Sequence, residues 1–308
     1  MIKISDKSAS ELIEMKMLWE ECFSDTESFL DFYFDKICRN NEIVMMKEDG
    51  ELVGMLHLNP YTFTRGTREL YRTCFITGAA VKDGFRREGR FKRMLGYAAT
   101  VLASEGIRFV YARPEDTALF SKLGFATVTK TADIVVRRTD LEILRDEMVT
   151  TRADIEFGKL LGTLITPAYS ADGVNALVSE MSAKDGNLIC LEKKGVVQGI
   201  FSIRRNGEYI DVEHVVPFFS LRDFMSRLFD AVEERLSRED AAEATEENLQ
   251  EEKAHGVTHV RISLDTKLLM CFAHSLDMNQ VTEGQGYMVS ELRENGLDYE
   301  NILFTELC

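Results

Sequence analysis

The chain has 308 residues, 45% of them apolar, and sets 37 Lys and Arg against 52 Asp and Glu for a formal net charge of −15. That length can fill one large core or two ordinary ones, and it favours two domains. The charge argues against a nucleic-acid partner, whose phosphates it repels, and no apolar run approaches the ~18 residues that cross a bilayer.

The opening segment, MIKISDKSASELIEM, lacks the continuous apolar stretch of a secretion signal. Residues 10–23 then place Leu12, Ile13, Met15, Met17, Leu18 and Cys22 at helical spacing, with Ser10 as candidate N-cap. A second helix is expected over 26–38, where Phe29, Phe32, Tyr33, Phe34 and Ile37 read as core rather than as a ligand box. Strands at 43–46 and 52–58 flank Asp49-Gly50, a hairpin signal. A long strand over 70–81 stops at Val81, and Arg86-Arg87-Glu88-Gly89-Arg90-Phe91 opens a helix over 91–104, with another strand at 107–111.

A strand that feeds a basic, glycine-bearing turn and then a helix suits phosphate. The first N–H groups of the helix have no internal partner, and the helix dipole adds partial positive charge there. Gly89 has no Cβ to keep a ligand away from the backbone. Arg86, Arg87, Arg90, Lys92 and Arg93 put five cations within eight residues of an acidic chain. On charge alone, a solvated basic helix start explains them equally well.

The second half, from about Thr139, repeats the first. Residues 41–54, NEIVMMKEDGELVG, align with 187–199, NLICLEKKGVVQG, with one residue deleted at the turn. Residues 208–216 then match the strand that ends at Val81, and 221–236 match the helix after it. Between them Pro217-Phe218-Phe219-Ser220 carries neither glycine nor a basic cluster. The stretch 237–256 is strongly acidic and reads as a solvated helix extension or mobile insertion. Six cysteines (Cys22, Cys38, Cys74, Cys190, Cys271, Cys308) form no C-x-x-C pair and read as reduced thiols of a cytoplasmic protein. His57, His214, His255, His259 and His274 show no metal-ligand spacing, so no metal is expected.

Arg86-x-x-Gly89-x-Phe91 resembles the Arg/Gln-x-x-Gly-x-Gly/Ala pyrophosphate loop of the GNAT N-acetyltransferases. About thirty residues on, Ala118-Leu119-Phe120-Ser121-Lys122-Leu123-Gly124-Phe125 resembles the later family signature that ends in a Gly-Phe turn. The resemblance covers roughly residues 1–137 well. It implies an α/β (α+β) fold of tandem GNAT-like lobes, each a mixed, mostly antiparallel sheet flanked by helices. Residues 1–138 would be the acetyl-CoA-binding domain, and 139–308 a degenerate second copy with the acidic insertion.

The resemblance also implies roles. The backbone of Ala79, Ala80 and Val81 would align the pantetheine arm and polarise the thioester carbonyl. Arg87, Glu88, Gly89, Arg90, Phe91 and Lys92 would donate amides to the diphosphate, with Arg86 steadying the turn or pairing with the phosphates. Glu115 and Asp116 stand where Eis-type relatives border the CoA arm. Phe91 departs from the usual Gly or Ala toward those relatives, and it also serves as the first apolar residue of its helix.

Phe120 replaces the usual Tyr, whose hydroxyl protonates the leaving thiolate; water or Ser121 would substitute. The terminal carboxylate of Cys308 would be the base by analogy with Eis, and Glu213 is read as a partner of Arg204 or Arg205. Tyr61, Phe63 and the 62–68 hairpin tip border an acceptor cleft or form a solvent turn. The implied reaction moves an acetyl group from acetyl-CoA to an amine of a small molecule or protein, with no metal and no membrane. The alternative is a catalytically impaired CoA sensor or interaction module, and homo-oligomer formation is left open.

Overall fold

Asp49 and Gly50 both take positive φ, 50° and 87°, the conformation that a two-residue hairpin turn requires, and so set the register of the first sheet. The computed structural model describes residues 1–65, 68–161, 164–167, 178, 181–182, 186–246, 256–292, 299 and 302. Among them the elements are, in chain order, β1 (Ile2–Ile4), α1 (Ala9–Cys22), α2 (Glu27–Phe32), β2 (Glu42–Glu48), β3 (Glu51–Arg65), β4 (Arg68–Val81), α3 (Arg90–Ser104), β5 (Phe109–Ala112), α4 (Thr117–Lys122) and β6 (Ala126–Arg137). There follow α5 (Leu141–Met148), α6 (Thr151–Leu161), β7 (Thr166–Pro167), β8 (Gly186–Lys193), β9 (Val196–Asn206), β10 (Tyr209–Pro217), α7 (Leu221–Glu246), β11 (His259–Asp265), α8 (Thr266–Met270) and β12 (Val281–Glu291). The chain divides into two compact units, one of Met1–Thr129, Ile165–Lys184 and Gly286–Cys308, the other of Lys130–Leu164 and Asp185–Gln285.

In the first unit the strands run β1-β2-β3-β4-β5-β12, antiparallel throughout except for the parallel β4–β5 pair. One face of this sheet buries Met94, Ala98 and Leu102 of α3 against Val44, Leu56 and Ile76. The other packs Met15, Leu18 and Trp19 of α1 with Phe29, Tyr33 and Phe34 over Ile43, Met45 and Met55. Farther along, Phe63, Phe75, Phe109, Tyr111 and Tyr287 form an aromatic cluster. Phe63 is fully buried there, so it is core and not the rim of a cleft.

Two helix boundaries differ from expectation. Ser8, not Ser10, holds the N-cap position of α1, and its side chain makes no capping bond. The buried Glu11 carboxylate ties the preceding turn instead, accepting from Ser5 Oγ (2.6 Å) and the Asp6 N–H (3.2 Å). Thr26 does cap α2 by accepting from the Phe29 N–H. The α-helix, however, stops at Phe32, and Tyr33–Ile37 widens into a π-turn closed by Cys38 N–H to Tyr33 O at 2.8 Å.

The second unit has strand order β6-β11-β10-β9-β8, with β10 and β11 parallel. Its hairpin repeats the first in detail. Gly54 pairs with Val81, and Gly199 pairs with Pro217. Three residues back, each returning strand carries a bulge, at Gly78 (φ 53°) in β4 and at His214 (φ 55°) in β10. Each paired glycine admits a helix side chain: a Cβ on Gly54 would lie 2.8 Å from Met94 of α3, and one on Gly199 2.5 Å from Phe224 of α7. The first ten residues of the acidic stretch, 237–246, continue α7, and 247–255 lie outside the described residues.

Candidate functional site

β4 is longer than its parallel neighbour. The β4–β5 ladder ends at Ile76 opposite Ala112, while β4 runs on to Val81 paired only with β3. Lys82 N–H bonds Val53 O (3.0 Å), so the adjacent Val81 is the non-bonded member of the antiparallel pattern and turns its N–H and C=O away from β3. That free strand edge borders a cleft of about 670 Å³. Ala79, Ala80 and Val81 line it, with Arg86, Arg87, Gly89, Arg90, Phe91 and Lys92 of the following turn. Asp116, Leu119, Phe120, Lys122 and Leu123 close it from α4, and Cys22 and Phe23 from the end of α1.

The turn presents backbone donors. Arg87 (φ 67°) and Gly89 (φ 74°) are both left-handed, and Gly89 is the N-cap of α3. Among the described residues, the N–H groups of 87–92 donate to no protein acceptor, and the first turn of α3 holds no acidic residue. Unpaired amides at the positive end of a fifteen-residue helix are chemically suited to an anion.

The five cations divide by role. Arg90 gives both arms to Glu48 (Nε to Oε1 3.0 Å, Nη2 to Oε2 2.7 Å) and also bonds Phe85 O and Glu88 Oε2. Its hydrogen bonds hold the Glu48 carboxyl below the usual carboxylate range. Arg93 joins the same carboxylate at 3.2 Å. Arg86 folds back on the strand, donating from Nε to Val81 O at 2.9 Å and pairing with Asp83 at 3.2 Å. Among the described residues, Arg87 and Lys92 make no side-chain hydrogen bond or ion pair, and both line the cleft. Lys122 adds a third free cation that sequence reasoning did not single out.

Residues 3–128 match the family model of the acetyltransferase (GNAT) domain. They form a GNAT acetyltransferase domain. In fold, 95% of the chain is similar to 72% of a conserved protein of unknown function from Enterococcus faecalis V583, a probable N-acyltransferase (TM-score 0.63, 13% identity). It is also similar to Eis1 from Mycobacterium abscessus (TM-score 0.57, 11% identity, 95% of this chain and 73% of that one). A tandem GNAT protein from the clavulanic acid biosynthesis pathway matches over 96% of this chain and 99% of its own (TM-score 0.51, 10% identity). No curated protein matches the sequence. Over nearly its whole length the chain shares the fold of these proteins.

Within the GNAT domain, Phe120 is 8% exposed and packs between Phe91 (5.5 Å) and Phe125 (5.1 Å). It brings an apolar ring and no proton to the cleft. Ser121, one residue on, is exposed and does not line the cleft. Asp116 lines it but also caps α4, accepting from the Leu119 N–H at 2.9 Å. Glu115 and Glu88 are exposed and outside the lining, Glu88 being turned to Arg90. Cys308 lies outside the described residues. Glu213 of the second unit pairs with Arg204 at 3.4 Å, as read from the sequence, whereas Arg205 pairs with Glu239 at 2.9 Å. Among the described residues no group of three or more His, Cys, Asp or Glu is set to hold a metal, and no helix is long and apolar enough to cross a membrane.

One cluster beside the bulge escaped sequence reasoning. A Cβ on Gly78 would sit 2.4 Å from Trp19 and 3.0 Å from His57, so only glycine fits under these rings. His57 is fully buried, its Nδ1 3.0 Å from Tyr33 Oη, and burial pushes its pKa down to about 3. Helical and strand periodicity announced none of this, because His57 occupies an ordinary inward strand position.

Proposed function

We propose that the protein is an acetyl-CoA-dependent N-acetyltransferase acting on a primary amine of a small molecule or protein. The observation that carries this reading is the free edge of β4 running into the unpaired amides of 87–92 within one cleft. The edge N–H of Val81, whose carbonyl already accepts from Arg86, suits a carbonyl of an extended arm or thioester, and the α3 N-terminus suits the diphosphate. The neutral amine attacks the thioester carbonyl carbon, the C–S bond breaks, and the proton shed by the amine ends on the thiolate. Phe120 supplies no proton for that last step. A thiol of pKa ~8.5 is nevertheless a fair leaving group, and water delivers the proton. The five free cysteines among the described residues suit a reducing, cytoplasmic compartment. Calorimetry of the whole chain with CoA tests the reading, and an absence of binding at millimolar ligand sinks it.

Phe120 favours one second reading, a CoA-binding sensor or interaction module without turnover. Thiol release from acetyl-CoA across a panel of amines separates the two. Turnover of any amine above background removes the sensor.

A further inference from the structure

Arg86 sits where two roles conflict. Its side chain lines the cleft beside Arg87, yet its Nε donates to Val81 O at 2.9 Å. That carbonyl belongs to the free edge of β4, where Val81 turns both backbone groups away from β3. The Cys22 thiol points at the same oxygen from 3.9 Å, and Arg86 Nη2 approaches that sulfur at 3.8 Å. Among the described residues, the Val81 N–H therefore stays open while the carbonyl beside it is covered.

An extended arm that carries amides pairs with a strand edge through both groups of one residue, accepting from its N–H and donating to its C=O. Here the first bond forms at once, and the second needs the oxygen that Arg86 holds. Three features make that hold easy to exchange. The Arg86 side chain is 49% exposed, so water takes over its donors as it leaves. Its Nη1 also pairs with Asp83 at 3.2 Å, which tethers the guanidinium near the strand once Nε lets go. And Nε gives up a neutral carbonyl, unlike Arg90, whose two arms are fixed on the Glu48 carboxylate. One cation of the turn is locked in the fold; the other is held by a bond that a ligand amide replaces.

We propose that Arg86 is a latch on the donor cleft, covering the Val81 carbonyl until an arm with an amide N–H displaces it. The proposal rests on the acetyl-CoA reading and adds a selection step to it. A diphosphate without an arm reaches the amides of 87–92 with the latch shut, whereas the arm has to open it. Arg86 thus opposes arm binding, while a role in pairing with phosphate or steadying the turn favours it. The sign of the effect decides between them.

The test is calorimetry on the full chain, wild type and Arg86→Ala, with CoA, 4′-phosphopantetheine and inorganic pyrophosphate; a thermal melt confirms folding of the variant. Arg86→Ala should bind CoA and 4′-phosphopantetheine about fivefold tighter, the worth of one net hydrogen bond, and pyrophosphate as wild type does. A second measurement follows the Arg86 Nε–H by NMR in the wild-type protein, its signal assigned by its loss in Arg86→Lys. That signal should move to the position of solvent-exposed arginines when CoA is added and stay in place with pyrophosphate. Equal or weaker binding of 4′-phosphopantetheine by Arg86→Ala, any loss of pyrophosphate binding, or an Nε–H unmoved in the CoA complex overturns the latch. If wild type binds neither CoA nor 4′-phosphopantetheine, the acetyl-CoA reading itself falls, and the latch with it.

Discussion

Arg90 commits its whole guanidinium to the protein, bridging Glu48, Glu88 and the Phe85 carbonyl. It anchors the turn from behind, while the side chains of Arg87, Lys92 and Lys122 stay unpaired among the described residues and line the cleft. Glu48 is the pH-sensitive half of that anchor: its lowered pKa means the pair contributes at pH above the ordinary carboxylate value of 4.5 and fades as pH falls through the lowered one. His57 works over a higher window. Its folded pKa of about 3 lies below the ordinary imidazole value of 6.5, so stability is little affected above 6.5 and falls as pH drops toward 3. Between pH 6.5 and 5 this site alone should cost about 2 kcal/mol. Urea unfolding of wild type and His57→Gln at pH 7 and pH 5 checks it; an equal pH dependence in the two proteins would show that His57 is not the cause. Phe120 makes a kinetic prediction. A missing general acid costs about 10²–10⁴ in rate, so Phe120→Tyr should raise kcat for thiol release at least tenfold, with CoA affinity little changed. A kcat left at the wild-type value would mean that thiolate protonation does not limit the reaction.

At the scale of elements, the hairpin that ends in a bulge is the repeated unit. Gly199 lets Phe224 of α7 lie against β9, as Gly54 admits Met94 of α3. The two are unequal under substitution. Met94 offers a flexible thioether tip, whereas a Cβ at Gly199 meets the rigid Phe224 ring at 2.5 Å and the Val216 carbonyl at 2.6 Å. Gly199→Ala should therefore destabilise by about 1–3 kcal/mol or more through overpacking, and Gly54→Ala by less, as read from paired denaturation midpoints. Gly89 tests the turn separately. Its Cβ would meet nothing, yet φ is 74°, so Gly89→Ala isolates backbone strain of about 1–2 kcal/mol. Where the two hairpins diverge is the loop after the bulge. Residues 82–89 form a turn that leads into the free amides of 87–92 in the first unit, and 218–220 lead directly into α7 in the second.

For the whole molecule, that divergence predicts an asymmetric response to ligand. At a hundredfold excess over its dissociation constant, a ligand of the native state adds about 2.7 kcal/mol to the unfolding free energy. With CoA, hydrogen exchange should slow at 79–92 and stay unchanged at 218–220. Protection at 218–220 alone would move the site to the second unit.

Local physics was legible in the chain. The Asp49-Gly50 turn, the strand that feeds a basic glycine turn, and the repeated hairpin all follow from neighbouring residues, because φ preferences and side-chain periodicity act over a few positions. The end of the second helix was not legible, because the π-turn at Tyr33–Ile37 lies within an aromatic run that already reads as helix. The acetyltransferase resemblance and the Glu213–Arg204 pair also came from sequence. Tertiary structure decided what those residues are free to do. Arg90 and Glu48 are 42 positions apart, so nothing local reveals that one cation of the cluster is neutralised within the fold. The free edge of β4 exists because β5 stops short, which is a property of two strands and not of either. Lys122 reaches the cleft only because α4 packs beside α3. Burial and ion pairing depend on positions far apart in the chain, and packing alone brings them together.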